Sequence, residues 1–308
     1  MRSSLSAGFD LGGTQLKFGL IDPTGTVVYK DKTPTPSSIE GLIELLKTVW
    51  ADLKKRETPI ASCGFGFPGI FSLKDRKIFQ SPNYSGLDNF DLFRALSGFI
   101  DVPFWIDNDA NMAAYGEWAY GAGKETQSLV LLTIGTGIGS GIILDGQLWH
   151  GKCGFAGEFG HVVVNSEGER CNCSVRGCLE TEASASRIVR NYQQLTKTQE
   201  HLTSEDIYFR AKQGDEAARR SFARAGYYLG IGLGIVINFL NPEMILLGGG
   251  VMTAGEYLFA PAVEETQKRS YRASFACCRI EKAALGNDAG LIGAASWAKS
   301  RAFPKNRE

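Results

Sequence analysis

Two stretches of this chain open on the same plan. Phe9-Asp10-Leu11-Gly12-Gly13-Thr14 and Leu132-Thr133-Ile134-Gly135-Thr136-Gly137 each run from an apolar segment into a glycine-rich turn and then into a second apolar segment. Short apolar runs broken by glycine predict two strands joined by a tight turn. A plan that recurs in the second half of a 308-residue chain predicts an internal duplication, with two α/β halves that each begin on a hairpin.

The rest of the pattern fits two such halves. The first half predicts strands over 7–11, 16–21 and 26–30. Ile39, Leu42, Ile43, Leu46, Val49 and Leu53 follow at helical spacing, so 37–55 predicts a helix capped by Ser37 or Ser38. Strands over 61–67 and 102–106 and a helix over 108–118 complete it. The second half predicts strands over 128–134 and 139–144, a short extended piece at 162–164 and mainly helix over 181–241. A buried strand over 244–247, a helix, a strand near 278–281 and a last helix over 288–299 follow. We expect a small N-terminal domain over 1–115, completed by the C-terminal helix 288–300, and a larger domain over 116–287. Nothing near 108–120 resembles a flexible linker, so a hinge with a cleft is expected between them.

Composition excludes several classes. Hydrophobic residues make up 44% and charged residues 21%, too apolar for disorder. Lys+Arg and Asp+Glu balance at 33 each, which argues against a polyanion-binding surface over the whole molecule, so no nucleic acid is expected. No apolar leader follows Met1. The stretch 225–242 has no charge but carries Gly226, Gly230, Gly232 and Gly234, which predicts a buried helix with a glycine face and not a membrane span. Seven cysteines, three of them at 171, 173 and 178, suit a metal site in a reducing cytoplasm better than a disulfide framework.

Five constellations carry chemistry. In Asp10-x-Gly12-Gly13-Thr14, glycine N–H groups and the Thr14 hydroxyl offer donors to an anion, and Asp10 could hold Mg²⁺ through water. A plain hairpin turn with a solvated Asp10 accounts for it equally. Thr133 to Ser140 again alternates glycine with hydroxyl residues, and no helix follows, so it is not a dinucleotide fingerprint. Gly121-Ala122-Gly123-Lys124 fails as a P-loop, because Trp118 and Glu125 stand where glycine and Ser or Thr are needed. Asp107-Asn108-Asp109-Ala110-Asn111 follows a strand. Asp109 is there either a helix N-cap or a catalytic carboxylate, and Asn108 can both donate to and accept from a sugar hydroxyl. His161 with Cys171, Cys173 and Cys178 makes a Cys₃His set of the structural-zinc kind. Gly248-Gly249-Gly250 ends a buried strand and is either a ring or ribose cradle or an ordinary turn. Cys63, Cys153, Cys277 and Cys278 read as packing residues, and His150 and His201 as ordinary.

Taken together these segments resemble the ROK family of sugar kinases, repressors and open-reading-frame products, over nearly the whole chain. Asp10-x-Gly12-Gly13-Thr14 looks like its first phosphate motif, 133–137 its second and 248–250 its adenosine motif. Gly157-Glu158-x-Gly160-His161 followed by Cys-x-Cys-x₄-Cys-x-Glu resembles its zinc signature, with Ser174 standing where the family has glycine. The resemblance implies a duplicated actin-like, ribonuclease-H-like fold, ATP with Mg²⁺, a structural Zn²⁺ and a cytoplasmic homodimer. ATP would contact Asp10, Gly12, Gly13, Thr14, Lys17, Thr133, Gly135, Thr136, Gly137 and Gly248 to Gly250. The sugar would contact Gly69, Asn83, Asn108, Asp109, Glu158, His161 and Glu180, and Asp109 would be the base. The implied reaction is transfer of the γ-phosphoryl group of ATP to a hexose hydroxyl, with glucose O6 first. Fructose, mannose, allose and N-acetylated amino sugars are the alternatives, and polyphosphate is an alternative donor. A sugar-sensing regulator is not expected, because nine residues before Asp10 leave no room for a DNA-binding domain. An actin-like scaffold would not need Asn108, Asp109 or the zinc loop.

Overall fold

A computed structural model describes residues 4–56, 58–72, 77–81, 88 and 90–304 of the chain. The first half consists of β1 (Leu5–Leu11), β2 (Gln15–Ile21), β3 (Val27–Pro34), α1 (Ile39–Lys54), β4 (Ile60–Phe67), a small hairpin of β5 (Ile70–Ser72) and β6 (Lys77–Gln80), α2 (Leu92–Ser97), β7 (Phe104–Asn108) and α3 (Asp109–Tyr120). Its main sheet has the order β3-β2-β1-β4-β7. The β1–β2–β3 meander is antiparallel, and β4 and β7 add in parallel. The second half consists of β8 (Leu129–Ile134), β9 (Ile138–Leu144), β10 (Gln147–Leu148), α4 (Leu179–Ala183), α5 (Ala185–Thr196), α6 (Ser204–Lys212), α7 (Glu216–Leu240), β11 (Met244–Gly248), α8 (Glu256–Arg269), α9 (Arg272–Cys277), β12 (Arg279–Lys282) and α10 (Ala289–Ala302). Its sheet order, β10-β9-β8-β11-β12, repeats the first strand for strand. The duplication expected from the two glycine turns is therefore present.

The chain forms two compact units. One is Met1–Glu125, Gly141–Gly157 and Asn287–Glu308; the other is Thr126–Ser140 and Glu158–Gly286. The division falls at 125/126, not at the expected 115/116, and 141–157 returns to the first unit. The cause is packing on α3: a Cβ on Gly141 would lie 2.5 Å from Ala114 Cβ and 2.8 Å from Ala110 O. α10 covers the first sheet, as a helix completing that half should. Gly8 in β1 and Gly64 in β4 present bare backbone to it, and a Cβ at either would overlap the carbonyls of Leu291 or Ala294. Phe9 and Phe65 stack 4.6 Å apart in the core on that sheet. α1 buries Leu42, Leu46, Val49, Trp50 and Leu53, and Ser38 caps it by accepting from the Gly41 N–H.

In the second unit α7 is long and apolar enough to cross a membrane, yet half of that stretch is buried inside the protein. Gly226, Gly230 and Gly234 recur one turn apart, and Cβ atoms there would come within 2.6–2.8 Å of Leu258 O, Ala262 O and Arg269 Cβ. The glycine face seats α8 at short range, as the sequence predicted. Two expected elements differ. The strand expected at 102–106 lies at Phe104–Asn108, because Pro103 has no N–H for a ladder and the sheet accepts polar Asp107 and Asn108 opposite Gly66 and Phe67. The extended piece at 162–164 is only an isolated bridge from Val163 to Cys178.

Candidate active site

In the first unit the hairpin turn 12–14 closes with Gly12 N–H donating to Gln15 O at 2.9 Å. Neither Gly12 nor Gly13 takes a positive φ, so what they supply is bare backbone. Thr35 secures the turn from outside, its N–H donating to Thr14 O and its hydroxyl to Gly12 O. The Asp10 carboxylate lies beneath, against Gly290, where a Cβ would come within 2.7 Å of its Cγ. Burial pushes this carboxyl above the usual range, and Lys17 opposes the shift from 3.4 Å. The Lys17 ammonium also donates to Asn287 O, so it is tied to Asp10 and to the turn that precedes α10 in this structure.

At the end of β7, Asn108 and not Asp109 is the N-cap of α3. Its Oδ1 accepts from the Ala110 and Asn111 N–H groups at 2.9 and 3.0 Å, and its Nδ2 donates to Gly69 O at 3.0 Å. Of the four hydrogen bonds an amide offers, one N–H is left over. Gly69 has a φ of 118° that glycine alone adopts readily. Asp109 is the first helical residue, half-buried, with Oδ1 accepting from the Ala110 N–H at 2.9 Å. Asn83 lies outside the described residues.

The pair Asp107 and His150 was missed. Asp107 is buried, and its Oδ1 accepts from the Asn108 N–H at 2.7 Å and from Asn111 Nδ2 at 2.9 Å. Its Oδ2 lies 2.6 Å from His150 Nε2. The reading of His150 as ordinary is therefore corrected. Asp107 stands inside the quoted motif, but nothing in sequence ties it to a residue 43 positions on.

In the second unit the two glycine loops meet at the ends of adjacent parallel strands, Gly248 pairing with Thr133. Such strand ends are where open α/β sheets bind ligands. Gly249 has a φ of 90°, and a Cβ there would fall within 2.7 Å of Ile134 backbone atoms; Gly135 and Gly250 face open space. Gly135 N–H donates to Gly137 O to close the turn, and Gly135 O and Thr136 O accept from Ala185 N–H and the Ser186 hydroxyl. Gly137 is needed for a different reason: a Cβ there would overlap Glu180 Oε2. That oxygen accepts from the Ile138 N–H at 3.0 Å, so Glu180 braces the loop.

His161, Cys171, Cys173 and Cys178 bring their ligand atoms within 4.8 Å of one another. His161 Nδ1 lies 3.5 Å from Cys171 Sγ, and Cys173 Sγ lies 3.5 Å from Cys178 Sγ. None of the thiols is in a disulfide. Four donors gathered this closely, with Cys₃His chemistry, fit Zn²⁺. His161 Nε2 turns instead to Glu158 Oε2 at 3.9 Å, and burial raises the Glu158 carboxyl above the usual range. Ser174 has a φ of 74°, the conformation that a glycine would adopt more readily. Of the cysteines read as packing residues, Cys63 and Cys278 are buried, whereas Cys153 and Cys277 are exposed.

The family model described as ROK family matches residues 6–301. A glucokinase of Halalkalibacterium halodurans is 36% identical, over 93% of this chain and 92% of that protein. A glucokinase of Thermotoga maritima is 33% identical, over 96% of this chain and 97% of its own. A ROK family glucokinase from Streptomyces griseus, solved in complex with glucose and AMPPNP, superposes with a TM-score of 0.86 at 29% identity, covering 96% of this chain and all of that one.

Proposed function

This chain belongs to the ROK family, and on that premise we propose that it is an ATP-dependent hexose kinase that phosphorylates glucose at O6. Its two sheets of like order are the duplicated actin-like fold of that family. The observation that carries the residue assignment is the division of labour at the end of β7. Asn108 is spent on capping α3 and on Gly69, which fixes Asp109 beside it as the first helical residue.

Phosphoryl transfer asks for position and charge neutralisation more than covalent help. Asp109 accepts the proton of the sugar hydroxyl as that oxygen attacks the γ-phosphorus and the ADP oxygen leaves. The spare N–H of Asn108, Gly69, Glu158, the Nε2 side of His161 and Glu180 are the groups assigned to sugar hydroxyls. Asn83 is assigned with them from its motif alone. Bare backbone at Gly12, Gly13, Gly135 and Gly137, with the hydroxyls of Thr14, Thr133 and Thr136, is assigned to the phosphates. Gly248 to Gly250 is assigned to the adenosine. Asp10 would hold Mg²⁺ through water, with the Lys17 ammonium 3.4 Å from its carboxylate, and the ion would supply charge neutralisation on the phosphates. His161, Cys171, Cys173 and Cys178 would hold Zn²⁺, which closes its own shell and fixes the segments carrying Glu158 and Glu180.

A homodimer is read from an exposed apolar stripe on α7, Tyr227, Ile235 and Phe239, with Tyr271 beside it through its N–H to Asn238. The thiol cluster suits a reducing cytoplasm. An assay of ADP release over a panel of hexoses tests the reaction: glucose should give the highest kcat/KM, and ADP release with no hexose in the panel would overturn it. Light scattering on Phe239→Asp tests the dimer.

A further inference from the structure

We propose that Ala185 and Ser186, at the start of α5, are positioning residues for the second glycine loop: they aim the N–H groups of Thr136 and Gly137 at the phosphates of the nucleotide. The inference deepens the kinase reading and rests on its assignment of that loop to ATP. Ala185 N–H donates to Gly135 O at 2.8 Å, and the Ser186 hydroxyl donates to Thr136 O at 3.1 Å. Both donors lie outside the glycine motif, on a helix that begins at Ala185.

A planar trans peptide points its C=O and the N–H that follows in opposite directions, and no described peptide bond is cis. The carbonyls of Gly135 and Thr136 are drawn towards α5, so the N–H groups of Thr136 and Gly137 face away from it. The amides on either side are committed. Gly135 N–H closes the turn on Gly137 O at 2.9 Å, and Ile138 N–H donates to Glu180 at 3.0 Å. Two successive N–H groups turned the same way make a concave anion site, and the bare Gly135 leaves open space beside it.

The turn that does the aiming is itself fixed. Ser184 caps α5 by accepting from the Arg187 N–H at 3.4 Å. The Arg187 guanidinium is buried, pairs with Glu169 and lies 3.8 Å from Oε2 of Glu182, a fully buried carboxylate. Glu182 also accepts from Asn165 Nδ2 at 2.9 Å and pairs with Arg224 at 3.5 Å. A buried charge stripped of a partner is strongly unfavourable, so this set of pairs leaves α5 one place to start. The segment 178–187 thus holds the loop at Gly135, Thr136 and Ile138, and it carries Cys178 of the metal cluster at its other end.

Two variants separate aim from stability. Ala185 is the first helical residue, and Ser184 before it is extended, with φ −73° and ψ 167°. Proline at 185 therefore suits the helix start and removes the N–H that Gly135 O receives. Ser186 is exposed, so Ser186→Ala takes away a hydroxyl and leaves no cavity. Calorimetric titration of MgATP into the full zinc-loaded chain, without sugar, reads the Kd. Ala185→Pro and Ser186→Ala should each raise it about three- to tenfold, the size of one neutral hydrogen bond. The thermal midpoint and the KM for glucose should stay at their wild-type values. Ser186→Thr returns the hydroxyl and should return the Kd. A wild-type Kd in both Ala185→Pro and Ser186→Ala overturns the proposal, and so does a rise of the ATP Kd and the glucose KM by the same factor. Wild-type protein that binds ATP but phosphorylates no hexose fails the kinase reading alone, and the Kd comparison still decides this one. Wild-type protein that binds no ATP overturns both.

Discussion

His150 Nε2 and Asp107 Oδ2 lie 2.6 Å apart, both side chains nearly out of reach of solvent. The other oxygen of Asp107 holds the Asn108 N–H and the Asn111 amide. His150 therefore fixes the carboxylate that fixes the start of α3. Asp107→Asn removes the charge and turns Oδ2 into a donor, which His150 can answer only when its Nε2 carries no proton. We expect a stability loss of about 1–3 kcal/mol and a kcat that falls more than the KM for ATP rises. Thermal melts and steady-state kinetics on the same preparation check both. An unchanged kcat would leave the pair with a structural role only.

Asp109→Asn keeps the shape and removes the base. The fold and sugar binding should survive, with kcat lower by about 10²–10⁴. A folded variant that retains more than about a tenth of the activity would exclude Asp109 as the base.

Gly137 and Glu180 test the second glycine loop as a pair. Gly137→Ala puts a Cβ into the Glu180 carboxylate, so the KM for ATP should rise. Glu180→Ala frees the space but abandons the Ile138 N–H. The double variant should then be less impaired than the sum of the two singles, by a coupling of roughly 0.5–3 kcal/mol. Strict additivity in KM would rule out the contact.

The purified protein should carry about one zinc per chain. Cys173→Ala should lose the metal and raise the KM for sugar at least as much as the KM for ATP. Elemental mass spectrometry with a sugar titration reads both, and fully active metal-free protein would refute the assignment.

Asp215 caps α7, accepting from the Ala217 and Ala218 N–H groups and from the Tyr192 hydroxyl at 2.7 Å. The Tyr192 hydrogen bond, joined by those N–H groups, holds its carboxyl below the usual value of 3.8. A lowered folded pKa means that the contribution is complete above the ordinary carboxylate pKa and is lost as pH falls through the folded value. Asp215→Ala should cost about 0.5–2 kcal/mol at neutral pH. Denaturant melts from pH 7 downward should show that gap narrowing below about pH 4.

What was legible in the sequence was local. The glycine turns at 12–14 and 135–137 and the Cys₃His spacing each lie within a few residues or one loop, and the structure forms both turns and gathers the four ligand candidates. What was not legible depends on contacts between distant segments. The choice of Asn108 over Asp109 as cap turns on Gly69 O, and the role of Glu180 turns on the backbone at Ile138. The excursion of 141–157 into the first unit depends on two small residues of α3 that leave room for Gly141. Pro103 was the one overlooked local signal, since it should have moved the start of β7 past it.

The covering of the first sheet by α10 has a consequence for biogenesis. β1 and β4 are complete once residue 67 is made, but the helix that lies over Gly8 and Gly64 spans 289–302. During synthesis, at about 5–20 residues per second, that apolar sheet face waits many seconds for its cover. The nascent chain thus presents an aggregation-prone surface until α10 has left the ribosome, and a chaperone that binds exposed apolar strands would have its target there.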